Sequence, residues 1–402
     1  MSIKAAVPIV DPARREFLRK SFAGVGWMMA GTALSRCNSG GGATMSNIAN
    51  LGPLQDPDEN GLRLPEGFTS RIIGRSGRAV GDSGYLWHNA PDGGAVFTTD
   101  DGGWIYVSNS ETFPQLGGGA SAIRFSSNGD IVDAYQILGE TLLNCAGGGT
   151  PWGTWLSCEE TPAGRVFECD PLGHSSAVVR PAMGVFEHEA VAIDEANQHA
   201  YLTEDVGDGR FYRFVYDAPG DLSTGELQVA EVMGEGPEGP VEWRTVPDPS
   251  AETTETRFQV TSSTPFTGGE GIWYHQDLIY FSTKGDNRIW AYDTDASMLS
   301  IVYDAATSST PILTGVDNLT VSPAGDVLIA EDGGDMQIVA IIPDNTLVPL
   351  VQVTGHDLSE ITGPAFDPSL QRLYFSSQRG PEGLELLGMS GITYEVNGPF
   401  FI

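Results

Sequence analysis

Short hydrophobic runs of strand length, separated by Gly, Pro, Asn and Asp, recur along most of the chain, and helical periodicity is missing after the first few dozen residues. Six of these runs resemble one another: WIYVSNSE from residue 104, WLSCEE from 155, AYLTED from 200, IYFSTKGD from 279, LIAEDGGD from 328 and LYFSSQRG from 373. Each follows a small-residue turn and another short run, as in DGGAVFTTDDGG, NCAGGGTPWG, EHEAVAIDEANQ, GGEGIWYHQD, DNLTVSPAGD and ITGPAFDPSLQ. A repeat of six hairpins predicts an all-β fold, a six-bladed β-propeller. The length agrees, since 402 residues exceed the usual size of a single core and a closed repeat buries its apolar surface blade by blade.

The hairpins carry chemistry at matching places. Cys145 lies ten residues before Trp155, Glu270 ten before Tyr280 and Asn318 ten before Leu328; Glu189 lies twelve before Tyr201, across a longer turn. In a propeller, equivalent positions at the entry of the inner strand converge on a central channel, and Cys, Glu and Asn are all metal ligands. The strand exits add Asn109, Glu111, Glu159, Glu160, Glu204, Asp205, Glu331 and Asp332. Some of these are expected to satisfy turns or face solvent instead.

Charge narrows the function. A formal net charge of −32 repels nucleic acid and anionic lipid surfaces, so neither is expected as a partner. It also suits an exported chain, expected to be a monomer. RREFLRK at residues 14–20, followed by an apolar stretch from Phe22 to Leu34, is too short for an ordinary membrane span and resembles a bacterial twin-arginine signal. That reading makes residues 1–37 a signal segment handled by the twin-arginine export machinery, 38–60 a polar tether and 61–402 the propeller, with a periplasmic or extracellular location. Cys37 at the end of the apolar stretch leaves a lipid anchor open, although Arg36 stands where a small residue is expected. Residues 211–265, acidic and turn-rich, read as a possible insertion over the channel mouth. Of the other three cysteines, Cys158 and Cys169 could pair in an oxidising compartment, which would leave Cys145 as a thiol.

The strongest local feature is NCAGGGTPWGTWLSCEE at residues 144–160. Together with GGAVFTTDDGGWIYVSNSE, FEHEAVAID, YLTED, GGEGIWY, DNLTVSP, AEDGG and ITGPAFDP, in that order, it resembles the PhoX-type alkaline phosphatases over about Gly84 to Gly380. The resemblance implies a propeller-held cluster of iron and calcium ions that hydrolyses phosphomonoesters through a metal-bound oxygen nucleophile. It places the iron-bound thiolate at Cys145 and family acids at Glu189, Glu270 and Glu331. Which acid holds iron and which calcium stays open.

Elementary chemistry is consistent with this division. A thiolate is a soft ligand of little use to Ca²⁺, so Cys145 argues for a transition metal, here Fe³⁺. Oxygen ligands at Glu189, Glu270, Asp317, Asn318, Glu331 and Asp332 suit Ca²⁺, with Glu111, Glu160 and Glu204 as further candidates. A zinc site would use more histidine; of the six present, His188 and His356 read as supporting or structural. Lys284 and Arg379, at strand exits in a cation-poor chain, are the expected catalytic cations, one a mobile point charge and the other a planar fork for phosphate. No GxSxG elbow or Walker loop occurs, and Ser108 shows no recognisable histidine partner. Trp87, Trp152 and Trp273 are expected to pack between blades. Two alternatives stay open: a calcium-stabilised propeller that binds a ligand without catalysis, and a calcium-dependent propeller lactonase or phosphotriesterase. The thiolate argues against the second.

Overall fold

A computed structural model of the chain describes residues 45–383 and 388–402. The signal segment and Cys37 lie outside the described residues. Among the described residues the protein is all-β, with only short 3-10 turns besides strands, in a propeller-like arrangement of five antiparallel sheets. None of the described helices is long and apolar enough to cross a membrane.

Six strands line the axis: Pro91–Thr98, Asn144–Gly149, His188–Asp194, Gly269–His275, Val316–Val321 and Ile361–Phe366. Each touches the next, and the last touches the first, so they form a closed ring. Their antiparallel partners are Trp104–Ser110, Trp155–Glu159, His199–Glu204, Leu278–Thr283, Val327–Glu331 and Arg372–Ser377, the hydrophobic runs of the repeat. His188–Asp194 is buried along its whole length, as expected of a strand with sheets on both sides. Three sheets have four strands and one has five. The fifth has nine, because Gly239–Thr245 pairs with Asp221–Val232 on one side and with Met298–Asp304 on the other, joining two fans edge to edge.

Two sequence expectations change here. Residues 211–245 are outer strands of the nine-stranded sheet rather than a cover for the channel: their apolar residues alternate, and Phe211, Tyr212, Phe214, Leu227 and Val229 are buried between sheets. Residues 45–60, assigned to the tether, belong to the folded body. Ile48 is fully buried in one core cluster with Phe400 and Phe401, and the Asn47 amide donates to the Phe400 carbonyl. Chain ends close the ring as well, since Thr69–Arg75 pairs with Ile392–Asn397 to complete the sheet of the last inner strand.

Trp87 and Trp152 pack between sheets, each with its indole N–H donated, to Thr393 and Glu168 respectively. Trp273 packs against the core cluster between the sheets of the fourth and fifth hairpins, and it also lines an apolar basin of about 450 Å³ at the far end of the axis, with Phe97, Tyr274 and Phe366. Cys145, Cys158 and Cys169 are all free thiols. Cys158 pairs in register with Val166 and Cys169 with Trp155, and the two sulfurs belong to different core clusters, which explains the missing bridge.

Candidate metal centre

The site is made by one irregularity repeated around the ring. In the first five hairpins the strand register slips immediately after its first pair, between Pro91 and Gly94, Asn144 and Gly147, His188 and Val191, Gly269 and Ile272, and Val316 and Leu319. The sixth slips one residue later, between Thr362 and Ala365. An extra residue in the inner strand breaks the strict alternation of side chains and re-aims them locally. The residues just inside the slips are Asp92, Cys145, Glu189, Glu270 and Asp317. The residues just past their paired strands are Glu111, Glu160, Asp205, Lys284, Asp332 and Gln378. Two tiers of polar groups therefore face one end of the axis.

Donor atoms of the two tiers, joined by Glu360 just before the sixth inner strand, fall into four groups, each within 4.8 Å of one another: Asp92, Glu111 and Cys145; Cys145, Glu160 and Glu189; Glu189, Glu270 and Asp317; Asp317, Asp332 and Glu360. Consecutive groups share Cys145, Glu189 and Asp317, so they form one continuous arc. Organic groups close the remaining gap: Gln378 Nε2 donates to Asp92 Oδ2 and Glu111 Oε2, both at 2.5 Å. Arg379 Nη2 lies 2.7 Å from Glu360 Oε1 and its Nη1 3.7 Å from Asp332 Oδ1.

Glu189 tests whether these residues fit metal ions. It is 0% exposed, and neither carboxylate oxygen has a hydrogen-bond partner. A buried carboxylate without partners is strongly disfavoured unless a cation meets it. Burial, reinforced by the charges of Glu160, Asp317 and Asp92, pushes its carboxyl well above the usual range. Burial raises Glu270, Asp92 and Glu360 in the same way, with neighbouring acids adding to it, and lifts Glu160 to about 8. The Cys145 thiol is likewise pushed well up, by burial first and then by Asp92, Glu189 and Glu160. Without ions the cluster holds protons; multivalent cations would take their place, and one sulfur among many oxygens fits a mixed set of borderline and hard ions.

The strand around Cys145 is rigidly fixed. Buried Asn109 donates to the carbonyls of Cys145 and Ala146 at 3.1 and 2.7 Å, while its Oδ1 accepts from Trp155 Nε1 and Ser157 Oγ. Beneath Asp92, Ser108 Oγ lies 3.3 Å from His88 Nε2 and 3.2 Å from the Asp92 carbonyl. Ser108 thus has a histidine neighbour after all, contrary to the sequence expectation. Burial pushes His88 down to about 3, so the imidazole stays neutral, and the pair supports the Asp92 backbone.

Of the residues singled out in the sequence, the arc contains Cys145, Glu189, Glu270, Asp317, Glu111, Glu160 and Asp332. Glu204, Glu331 and Asn318 are not among its members. Glu331 accepts the Thr314 and Gln337 amides, one on each oxygen at 3.0 Å. Glu204 accepts from the Arg210 amide and the Tyr212 hydroxyl and pairs with Arg257. Both occupy paired positions of the outgoing strand and point away from the axis, whereas the following residues, Asp205 and Asp332, point toward it. Asn318 carries an amide, a type the acid and thiol donors of the arc do not include. By register it follows the ring position, since Val316 pairs with Glu331 as Asn144 pairs with Glu159 and Asp317 is the equivalent of Cys145, and its Oδ1 accepts the Gly363 amide at 2.9 Å. Asn318 steadies that aspartate, donating to Asp317 Oδ1 at 2.8 Å. His188 is bound to the Gly184 carbonyl and stacked on Phe186, and His356 to Ser377 Oγ. Asp92, Glu360 and Gln378 were not foreseen, although the hairpin alignment, extended to its first and last members, contained Asp92 and Gln378; Glu360 lies one residue before the last matched segment.

Lys284 lies beside the arc with its ammonium 2.7 Å from Glu270 Oε1 and within 3.8 Å of Asp205, Asp317 and Asp332. Burial alone would lower its pKa, but the charges of Asp317, Glu270 and Asp205 overcome this and hold it raised.

Against known proteins, the profile described as Alkaline phosphatase PhoX matches residues 93–165 and 162–380, which encloses every member of the arc except Asp92. The chain belongs to the PhoX alkaline phosphatase family. Membership makes it a metal-dependent phosphatase. Among solved structures, this PhoX chain is similar to Pseudomonas fluorescens PhoX in complex with vanadate, a transition state analogue, at 17% identity and a TM-score of 0.72, covering 87% of this chain and 97% of that one. It is also similar to a gluconolactonase from Xanthomonas campestris, at 11% identity and a TM-score of 0.51 over 86% and 98% of the two chains. A protein of unknown function from Bacteroides thetaiotaomicron follows at 10% identity and a TM-score of 0.52, over 86% and 84%. At these identities the likenesses speak for the fold alone. No match was found among curated protein sequences.

Proposed function

We propose that this PhoX chain releases phosphate from small phosphomonoesters at a cluster of Fe³⁺ and Ca²⁺ held at one end of a six-bladed propeller. The observation that carries the proposal is the unbroken arc of four three-donor groups around unpartnered, fully buried Glu189. Six inner strands in a closed ring support the blade count, with the nine-stranded sheet read as two blades joined by Gly239–Thr245. Cys145, Glu160 and Glu189, together with Asp92 and Glu111, would hold iron, because these groups share the one thiol. Glu270, Asp317, Asp332 and Glu360, all oxygen donors, would hold calcium. The ions, when bound, supply charge neutralisation for the phosphoryl oxygens and activate the attacking water.

The chain's own part is to position and to select. Arg379 presents a planar fork at the edge of the arc, anchored on Glu360, and would grip a phosphoryl oxygen. Gln378 keeps Asp92 and Glu111 together at the point where the arc would otherwise open. The excess of acids over cations at the mouth would repel an anionic substrate unless multivalent ions are in place, so loading and substrate binding are coupled. Export through a twin-arginine signal, to the periplasm or outside the cell, is supported by the resemblance of the N-terminal sequence to such a signal and would suit a chain that leaves the cytoplasm folded around its metals.

The test is elemental analysis of the natively exported protein together with hydrolysis of p-nitrophenyl phosphate. Iron and calcium are both expected. Cys145→Ser, nearly isosteric, should lose iron and reduce turnover by at least about 100-fold with its circular dichroism unchanged. An active, iron-free protein would overturn the iron assignment.

A further inference from the structure

We propose that the Lys284 ammonium is a resident cation that fills a metal position of the cluster from within the chain, so that removing its charge opens a new divalent-cation site. The inference rests on the metal-cluster reading above and concerns one position in it.

Lys284 stands where the ring repeat elsewhere supplies a metal-binding type of side chain. The equivalent residues, each following the partner of the first inner-strand pair, are Glu111, Glu160, Asp205 and Asp332, with Gln378 at the sixth place. At the fourth place, after the Gly269–Thr283 pair, the chain supplies an ammonium instead. Four carboxylates from its own hairpin and the two flanking ones converge on it: Glu270 Oε1 at 2.7 Å, Asp332 Oδ2 at 3.5 Å, Asp317 Oδ2 at 3.7 Å and Asp205 Oδ2 at 3.8 Å. That is the donor set of a calcium site, several carboxylate oxygens from different elements around one positive centre. An independent observation points to a cation at these donors: Glu189, fully buried and within 4.8 Å of Glu270 and Asp317 donor atoms, has no hydrogen-bond partner on either oxygen.

An ammonium and a calcium ion are alternatives at such a place. The ammonium forms hydrogen bonds at about 2.8 Å, whereas calcium draws oxygens to about 2.4 Å. Three of the four carboxylates stand well beyond either distance, so they are held near the charge without being drawn tight, and ordinary rotamer changes would bring them inward. The Lys284 side chain keeps 32% of its surface exposed, so exchanging it leaves an opening to solvent through which an ion can enter. A fixed charge at this position would also keep one positive charge among these four carboxylates whatever the calcium supply.

The experiment compares metal content per chain in the full-length, natively loaded protein, its Lys284→Gln variant and its Lys284→Arg variant, each after dialysis against calcium chloride. Lys284→Gln should hold one more divalent ion per chain than the wild type, seen by elemental analysis and as an added step in a calcium titration. Lys284→Arg, which keeps the charge, should match the wild type and controls for folding and loading. Equal ion content in all three, or fewer ions in Lys284→Gln, would overturn the proposal and leave Lys284 as a substrate contact or an assembly residue. A wild type without iron and calcium would defeat the underlying metal-cluster reading instead, so the two failures are distinguishable.

Discussion

At the scale of single residues, two glutamates of the same repeat have opposite environments. Glu189 is a buried acid with no hydrogen-bond partner, while Glu331 gives each oxygen a backbone amide at 3.0 Å. The first is expected to serve ions and the second to serve the fold. Glu189→Gln should therefore empty part of the cluster while the metal-stripped protein melts no lower than the wild type, since an amide tolerates that burial better than an unpaired acid. Glu331→Gln should do the reverse. Its amide nitrogen would face a backbone N–H, costing about 1–3 kcal/mol of stability, while the metal content stays at the wild-type value. Elemental analysis and thermal melts with and without a chelator read both. A loss of ions from Glu331→Gln would return that residue to the ligand set.

At the scale of elements, the repeated slip at the entry of the inner strands is the device that builds the site. It also requires backbone to meet backbone below the cluster. A Cβ on Gly148 would lie 1.8 Å from the Val191 carbonyl oxygen, and one on Gly271 would lie 2.5 Å from the Leu319 amide nitrogen. Neither obstacle is the flexible end of a side chain. Gly148→Ala should thus push adjacent inner strands apart and cost more than about 4 kcal/mol, beyond the range of ordinary point changes, with loss of ions as the ring widens. Denaturant unfolding of the stripped and loaded forms measures it, and a cost below about 1 kcal/mol would contradict the close approach. The hairpins themselves were legible in the sequence, because turn residues and hydrophobic runs recur with little variation. The slips were not, because a bulge leaves no mark in a hydrophobic pattern and shifts facing by one residue. Counting from strand cores therefore selected Asn318 where the register selects Asp317, and it could not separate the inward-pointing Asp205 and Asp332 from their outward-pointing neighbours Glu204 and Glu331. Asp92 and Glu360 escaped for a different reason: the first and last hairpins were matched by their hydrophobic runs and not by the acid beside the turn.

At the scale of the whole molecule, the cluster reverses the usual effect of pH on stability. Glu160 is pushed up to about 8 by burial and by the charges of Glu111 and Asp205, and Glu189, Glu270 and Asp92 are raised as well. Between the ordinary carboxyl value near 4.5 and these raised values, the folded, metal-free chain keeps protons that the unfolded chain has released. Stability of that form is thus fully present below the unfolded value and declines as pH rises, by about 1.4 kcal/mol per pH unit for each such group. Most surface carboxylates have already ionised by pH 5, so they add little to the slope above it. In the loaded protein the ligands give up their protons to the ions, and acid expels the metals by returning those protons, so stability should instead fall on acidification. Melting temperatures of the chelator-stripped protein should therefore drop from pH 5 to pH 8, and those of the loaded protein should not. Glu160→Gln should make the stripped curve shallower over the same window, by about 1.4 kcal/mol per pH unit, with the slope from Glu189, Glu270 and Asp92 remaining. A stripped protein that grows more stable toward pH 8 would mean that the acids around Glu189 are already neutralised by something other than protons or metal ions.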